Sequence, residues 1–232
     1  MLPARMQCSA RQYAPPKARR FSMGFNVLMT IRAPKILIID DFLSDDVLTG
    51  LQEYAIASAA SFVPTGVNED RPFDEARPPR QSSRNIDGLG PFRQEFQSAI
   101  SARQDEFMAA LGVPHFTVHE TELELVAHGD GAYYITHVDV LTGDYRALQT
   151  TDRIISAVFY FYRQPKAFNG GELAIYPLSK SAEPFQLIEP DRNRLIAFPS
   201  FVPHEVRPVT CSSGAFADSR FAINCWLRRA RN

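Results

Sequence analysis

Tyr133-Tyr134-Ile135-Thr136-His137-Val138-Asp139 is a short run of aromatic and β-branched residues that ends in a His-x-Asp pair. Such residues favour strands. On a strand, residues i and i+2 share a face, so His137 and Asp139 can grip one metal ion from one side. A third ligand must come from elsewhere. The best candidate is His204, in Phe198-Pro199-Ser200-Phe201-Val202-Pro203-His204-Glu205-Val206. Two imidazoles and one carboxylate form a facial triad that leaves coordination positions open. The remaining histidines, His115, His119 and His128, read as surface or turn residues.

Outward from this strand the pattern is β on both sides. Thr117 to Val126 alternates, and His128-Gly129-Asp130-Gly131 reads as the turn into the metal strand. Arg153 to Tyr162 is a strong strand with Ser156, Val158 and Tyr160 on one face. Asn169-Gly170-Gly171 is a turn before Glu172 to Tyr176. Phe185 to Ile188, Leu195 to Phe198, Glu205 to Val209 and Arg220 to Leu227 complete the strands. Leu141 to Asp152 reads as polar and irregular.

Upstream, Ile36 to Asp40 is a short apolar strand. Ser44 is placed to cap a helix reaching about Ala60, with Asp45 and Asp46 in its first turn and Val47, Leu48, Leu51, Tyr54 and Ala55 at helical spacing. Pro91 to Gly112 reads as one further helix, with Phe92, Phe96, Ile100, Phe107 and Leu111 as its buried stripe. Between the helices, Ser61 to Gly90 is rich in Pro, Asp, Arg and Asn. It reads as a long irregular segment, either a substrate lid or a surface excursion. Two helices followed by many short strands argue for a mainly β fold with flanking helices, an antiparallel sandwich or jelly roll.

Residues 1–35 stand apart. Arg5, Arg11, Lys17, Arg19, Arg20, Arg32 and Lys35 all precede the first acidic residue, Asp40. This start reads as a disordered basic tail, or as an over-long start with Met23 or Met29 as initiator, and no apolar stretch in it suits a secretory signal. Residues 36–232 read as a single domain. A chain of 232 residues with 45% hydrophobic and 22% charged residues can bury a sizeable core. A formal net charge of -1 gives no reason to expect nucleic acid or a membrane surface as partner. No apolar run approaches the roughly 18 residues of a membrane span. Cys8, Cys211 and Cys225 show no paired spacing and read as reduced thiols, which points to the cytoplasm. Oligomeric state leaves no mark in the sequence.

Arg220 opens Arg220-Phe221-Ala222-Ile223-Asn224-Cys225-Trp226, and strand alternation puts Arg220, Ala222, Asn224 and Trp226 on one face. Arginine is a bidentate partner for a carboxylate. An arginine facing a barrel interior needs an anion there, because an unpaired buried charge is costly.

In the order His137-x-Asp139, Gly170-Gly171-Glu172-Leu173, His204-x-Val206-x-Pro208-Val209, then Arg220 before Trp226, the sequence resembles the 2-oxoglutarate/Fe(II)-dependent dioxygenases. The prolyl-4-hydroxylase-like branch is the nearest pattern. The resemblance runs from about Glu122 to Arg228 and more loosely back to Ile36. It implies a double-stranded β-helix (jelly roll) with Fe(II) held by His137, Asp139 and His204. It also implies that Arg220 pairs with the C5 carboxylate of 2-oxoglutarate, with Tyr134 close to that co-substrate and Tyr160 able to bond its carboxylate. Asn224 and Trp226 match pocket-lining positions. Dioxygen is the other co-substrate, and ascorbate is a candidate additional factor. One feature departs from the family. The basic residue usually follows the second histidine more closely, so Cys211 to Asp218 reads as an inserted loop and Arg207 is the alternative anchor.

The reaction so implied is oxidative decarboxylation of 2-oxoglutarate to succinate and carbon dioxide, coupled to hydroxylation of an unactivated C–H bond. A carboxylate at Asp139 argues for hydroxylation, because the related halogenases carry a small residue there. A peptidyl or protein residue is the leading substrate class, with proline favoured by analogy alone. The alternatives are a small molecule such as a free amino acid, or a non-catalytic jelly-roll module with a structural metal. Arg220 argues against the last, which needs no co-substrate anchor.

Overall fold

Strand alternation sorts the side chains into two layers, and those layers position the site. The computed structural model describes residues 33–65, 78, 80–179 and 183–231. These fall in one unit, Ile31–Asn232. Its strands in chain order are β1 (Leu37–Ile39), β2 (Phe62–Pro64), β3 (Arg80–Gln81), β4 (Ser83–Asn85), β5 (Glu120–His128), β6 (Tyr133–His137), β7 (Thr151–Phe161), β8 (Asn169–Gly170), β9 (Leu173–Ile175), β10 (Gln186–Ile188), β11 (Arg194–Pro199), β12 (His204–Val206), β13 (Val209–Thr210) and β14 (Arg220–Ala230). The helices are α1 (Asp45–Ala57), α2 (Arg93–Ser101), α3 (Gln104–Leu111) and α4 (Gly143–Ala147).

A seven-stranded sheet runs β1-β11-β7-β14-β5-β4-β2 and a five-stranded sheet runs β10-β9-β12-β6-β3; β13 and β8 pair separately. Neighbours are antiparallel, with β14 held between β7 and β5 along most of its length. One face of the larger sheet presents Leu125, Phe159, Phe161, Leu195, Phe221, Ile223 and Leu227 to the helices, which supply Leu48, Leu51, Phe96, Ile100 and Phe107. Intervening residues Val126, Tyr160, Ile196, Phe198 and Ala222 point the other way and meet Leu173, Ile175 and Ile188 of the smaller sheet. A strand buried on both faces reads as a near-continuous apolar run, which explains the composition of β7 and β14. Two facing antiparallel sheets with helices backing the larger one form the jelly roll expected from the sequence.

Several local expectations need correction. The stretch read as one helix from Pro91 to Gly112 is a 3-10 turn at Gly90–Phe92 followed by α2 and α3, broken at Ala102 and Arg103; nothing in the sequence marks the break. Gly112 does close α3, in the left-handed region at φ 64°. Helix α1 stops at Ala57 and tightens into a 3-10 turn over Ala59–Ser61. Ser44 sits at its N-cap, but the hydroxyl makes no capping bond. The stretch Leu141 to Asp152 is not wholly irregular, since it holds α4 and the start of β7. Nor is Ser61 to Gly90, because β2 and β4 pair onto the larger sheet through β5 while β3 pairs with β6. The rest of that segment, 66–77 and 79, lies outside the described residues, as does the basic tail expected over 1–35 up to residue 32. Among the described residues no helix is long and apolar enough to cross a membrane.

Candidate metal and co-substrate site

β6 and β12 are neighbours in the smaller sheet, and their register sets His137 directly opposite His204. The two rings lie 4.2 Å apart by centroid. Asp139 follows β6, and its backbone N–H donates to the Ser200 carbonyl at 2.9 Å. One ligand atom from each of His137, Asp139 and His204 can be chosen so that all lie within 4.8 Å of one another. The His137 and His204 Nε2 atoms stand 3.7 and 3.6 Å from the Asp139 carboxylate oxygens. The three side chains are 9%, 10% and 5% exposed, so the cluster sits inside the barrel mouth.

Second contacts set the chemistry of these atoms. His137 Nδ1 lies 2.8 Å from the Ile135 carbonyl, and His204 Nδ1 lies 2.9 Å from the Val202 carbonyl. A carbonyl only accepts, so each Nδ1 carries the proton and each Nε2 keeps its lone pair for a metal. The Ser156 hydroxyl donates to Asp139 Oδ2 at 2.6 Å and lies 3.0 Å from the Ser200 hydroxyl. Burial and the adjacent His204 push the His137 imidazole down to about 3, which leaves it neutral and ligand-ready near pH 7. Burial alone would push the Asp139 carboxyl up. The two imidazoles beside it, with bonds from Ser156 and Trp226, hold it below the usual carboxylate range.

Arg220 lies deeper in the same cavity, about 920 Å³ in volume. It is 1% exposed. Among the described residues no carboxylate comes within ion-pair distance of it, and its Nε and Nη2 have no hydrogen-bond partner. Its guanidinium carbon stands 4.6 Å from the centroid of the Tyr160 ring, whose buried hydroxyl has no hydrogen-bond partner within 3.5 Å among the described residues and interacts with this arginine. Gly171, at φ 75°, packs against its stem, and a Cβ there would come within 2.6 Å of Arg220 Cδ. Arg207, the alternative anchor, instead pairs with Glu205 at 3.0 Å and is 40% exposed.

The other expected residues also line this cavity. Tyr134 stacks on the His137 ring at 3.5 Å and 16°. Asn224 donates to Glu124 at 3.0 Å. Trp226 lies under Arg153, whose guanidinium carbon is 3.8 Å from the ring centroid. Arg153 is gripped by both carboxylate oxygens of Glu122, and Glu122 also accepts from Arg228 at 2.7 Å. Arg80 bonds Glu124 at 3.1 Å. The loop over Cys211 to Asp218, which the sequence reads as an insertion, is anchored by contacts of its own. The Asp130 carboxylate accepts from the Cys211 N–H, and Phe216 packs on Phe62 and Phe221.

Sequence reasoning missed three contributors. Ser156 shares a strand face with Val158 and Tyr160, but the sequence gives it no role. Arg153 was read only as the start of a strand. His128 was read as a turn residue, yet it ends β5, is 3% exposed and touches Arg220. Its signal was parity, because Glu122, Glu124, Val126 and His128 are the inward positions of one strand. His115 and His119 are exposed, as expected.

The sequence model described as "2OG-Fe(II) oxygenase superfamily" matches residues 123–228. That segment, a little under half of the chain, is similar to the 2OG-Fe(II) oxygenases. An uncharacterised PKHD-type hydroxylase of Synechocystis is 40% identical over 139 residues, which is 57% of this chain and 44% of that protein. The chain therefore spans less than half the length of this relative. A prolyl-4-hydroxylase of Pseudomonas putida shares the fold at TM-score 0.59 and 23% identity, over 84% of this chain and 94% of that one. A prolyl hydroxylase of Trichoplax adhaerens, in complex with a hypoxia inducible factor peptide fragment, does so at TM-score 0.59 and 20% identity, over 85% and 84%.

The cofactors that this similarity implies are Fe(II), 2-oxoglutarate and dioxygen, and the residues of the site fit them. Two imidazoles, each with Nδ1 turned to a backbone carbonyl, and an ionised carboxylate on one side suit a divalent iron with open positions. The buried Arg220, with donors left over and no acidic partner among the described residues, suits a carboxylate of the co-substrate.

Proposed function

We propose that this domain is a 2-oxoglutarate- and Fe(II)-dependent hydroxylase. The observation that carries this reading is the pairing, in one cavity, of the His137–Asp139–His204 cluster with a buried arginine whose donors are unfilled. In this reading His137, Asp139 and His204 hold the iron, with Ser156 and the Ile135 and Val202 carbonyls fixing their orientation. Arg220 and the Tyr160 hydroxyl take the distal carboxylate of 2-oxoglutarate, and Asn224 and Trp226 wall the pocket. Bound iron supplies the oxidative decarboxylation of 2-oxoglutarate by dioxygen, yielding succinate and carbon dioxide with oxidation of a C–H bond. The chain's own part is to present one open metal face, orient the co-substrate and keep water from the reacting atoms.

The substrate is proposed to be a peptidyl or protein residue, with proline favoured. Support comes from the fold shared with two prolyl hydroxylases, one of them in complex with a peptide. Succinate formation with Fe(II) and 2-oxoglutarate, measured against proline-containing peptides and free amino acids, tests both levels. Peptide-stimulated succinate with hydroxylated peptide is the expected result. Stimulation by free amino acids alone would move the substrate to the small-molecule class, and no turnover with any of them would leave the metal-module reading standing.

A further inference from the structure

His128 sits at the end of β5 directly across from Arg220 on β14. Its Nδ1 lies 3.2 Å from Arg220 Nη1. A guanidinium only donates, so Nδ1 must be the accepting nitrogen and the ring must carry its single proton on Nε2. Three features then fix the guanidinium: the Tyr160 ring beneath it, the Gly171 backbone against Cδ and Nε, and the His128 acceptor on Nη1. Among the described residues Nε and Nη2 have no hydrogen-bond partner within 3.5 Å.

Building on the oxygenase reading, we infer that His128 is a positioning residue for the co-substrate, holding Arg220 by one N–H so that its other donors and its full charge stay available to a carboxylate. The choice of acceptor matters. A carboxylate at 128 would pair with the arginine and cancel the charge that an anionic ligand needs. An apolar residue would leave Nη1 unbonded and the long side chain free to change rotamer. An uncharged acceptor does neither. Burial, then the nearby Arg220 and Arg80 charges, push the His128 imidazole well below its ordinary value, in keeping with that uncharged state.

The test is 2-oxoglutarate affinity by calorimetry in Mn(II)-loaded protein, which needs no turnover, with Mn(II) affinity and melting temperature measured alongside. His128→Asn keeps an acceptor near the Nδ1 position and is expected to bind 2-oxoglutarate within about threefold of the parent, whereas His128→Leu weakens it about tenfold to hundredfold. His128→Glu is expected to weaken it at least as far while melting no lower than the parent in the absence of 2-oxoglutarate. Mn(II) affinity is expected to stay unchanged in all three. Parent-like 2-oxoglutarate binding by the Leu or Glu variant overturns the inference, as does an Asn variant as weak as Leu with an unchanged melting temperature. Should the Leu variant not fold, the Asn and Glu pair decides alone. Parent protein that binds Mn(II) but no 2-oxoglutarate overturns the oxygenase reading itself, which is a different result from any variant effect.

Discussion

A buried cation with no counter-ion is among the costliest features a fold can keep, and among the described residues Arg220 has none. The cost is intelligible where a dianionic ligand completes the site. Replacing Arg220 with Ala is expected to raise the KM for 2-oxoglutarate while leaving bound iron in place. Loss of a charge-assisted bidentate pair costs about 2–4 kcal/mol, roughly thirtyfold to several-hundredfold. Arg207→Ala, which removes a side chain already paired with Glu205, is expected to leave that KM unchanged; the reverse pattern would exchange the two arginines' roles. Ser156 offers a second test at this scale, because its hydroxyl orients Asp139 at 2.6 Å. Ser156→Ala is expected to lower metal affinity by about 10–100-fold, read by competition with a chelator.

Elements carry other constraints. β7 places Phe159 between Phe42 and Phe96, with ring centroids 5.7 and 5.6 Å away, where it joins the sheet to the helices. Phe159→Ala is expected to cost about 3–5 kcal/mol in denaturant unfolding, because the cavity so formed is lined by other buried residues. The β8–β9 turn depends on glycine for a harder reason. Gly170 has φ 73°, and a Cβ there would fall 2.2 Å from the Pro208 carbonyl oxygen, which is backbone and cannot swing aside. Gly143 also has positive φ, at 56°, but has nothing within 4 Å. Gly170→Ala is therefore expected to destabilise by more than the about 1–3 kcal/mol of backbone strain alone, and Gly143→Ala to stay within it. Equal losses in the two variants, measured by thermal unfolding, would count against the close approach.

For the molecule as a whole, ligands that bind only the folded state stabilise it by mass action. A ligand at a hundred times its dissociation constant adds about 2.7 kcal/mol. Mn(II) alone, and then Mn(II) with 2-oxoglutarate, are expected to raise the melting temperature in two steps, and a chelator to reverse both. An Arg220→Met variant is expected to keep the metal step and lose the 2-oxoglutarate step. Without ligands it is expected to melt no lower than the parent, because an apolar side chain of similar volume replaces an unpaired buried charge. A parent-sized 2-oxoglutarate step in that variant would remove Arg220 from the co-substrate site.

The jelly roll was legible because its signals are local. The two-residue period of a strand sorts the residues of β5, β7 and β14 onto two faces, and the His-x-Asp pair announces a shared site before any partner strand is known, although β6 ends at His137 and Asp139 lies just beyond it. Alternation put Arg220 on one face with Ala222, Asn224 and Trp226, and the resemblance to the 2-oxoglutarate/Fe(II)-dependent dioxygenases gave it a co-substrate carboxylate to meet. What the sequence could not supply was anything that depends on which strands meet. Only the β6–β12 register sets His204 opposite His137, and only the neighbouring carbonyls choose the ring tautomers. His128 looked like part of a glycine-rich turn because turn chemistry dominates its local window. Its burial and its bond to Arg220 come from cross-strand pairing with a residue ninety-two positions away, a contact no local pattern encodes.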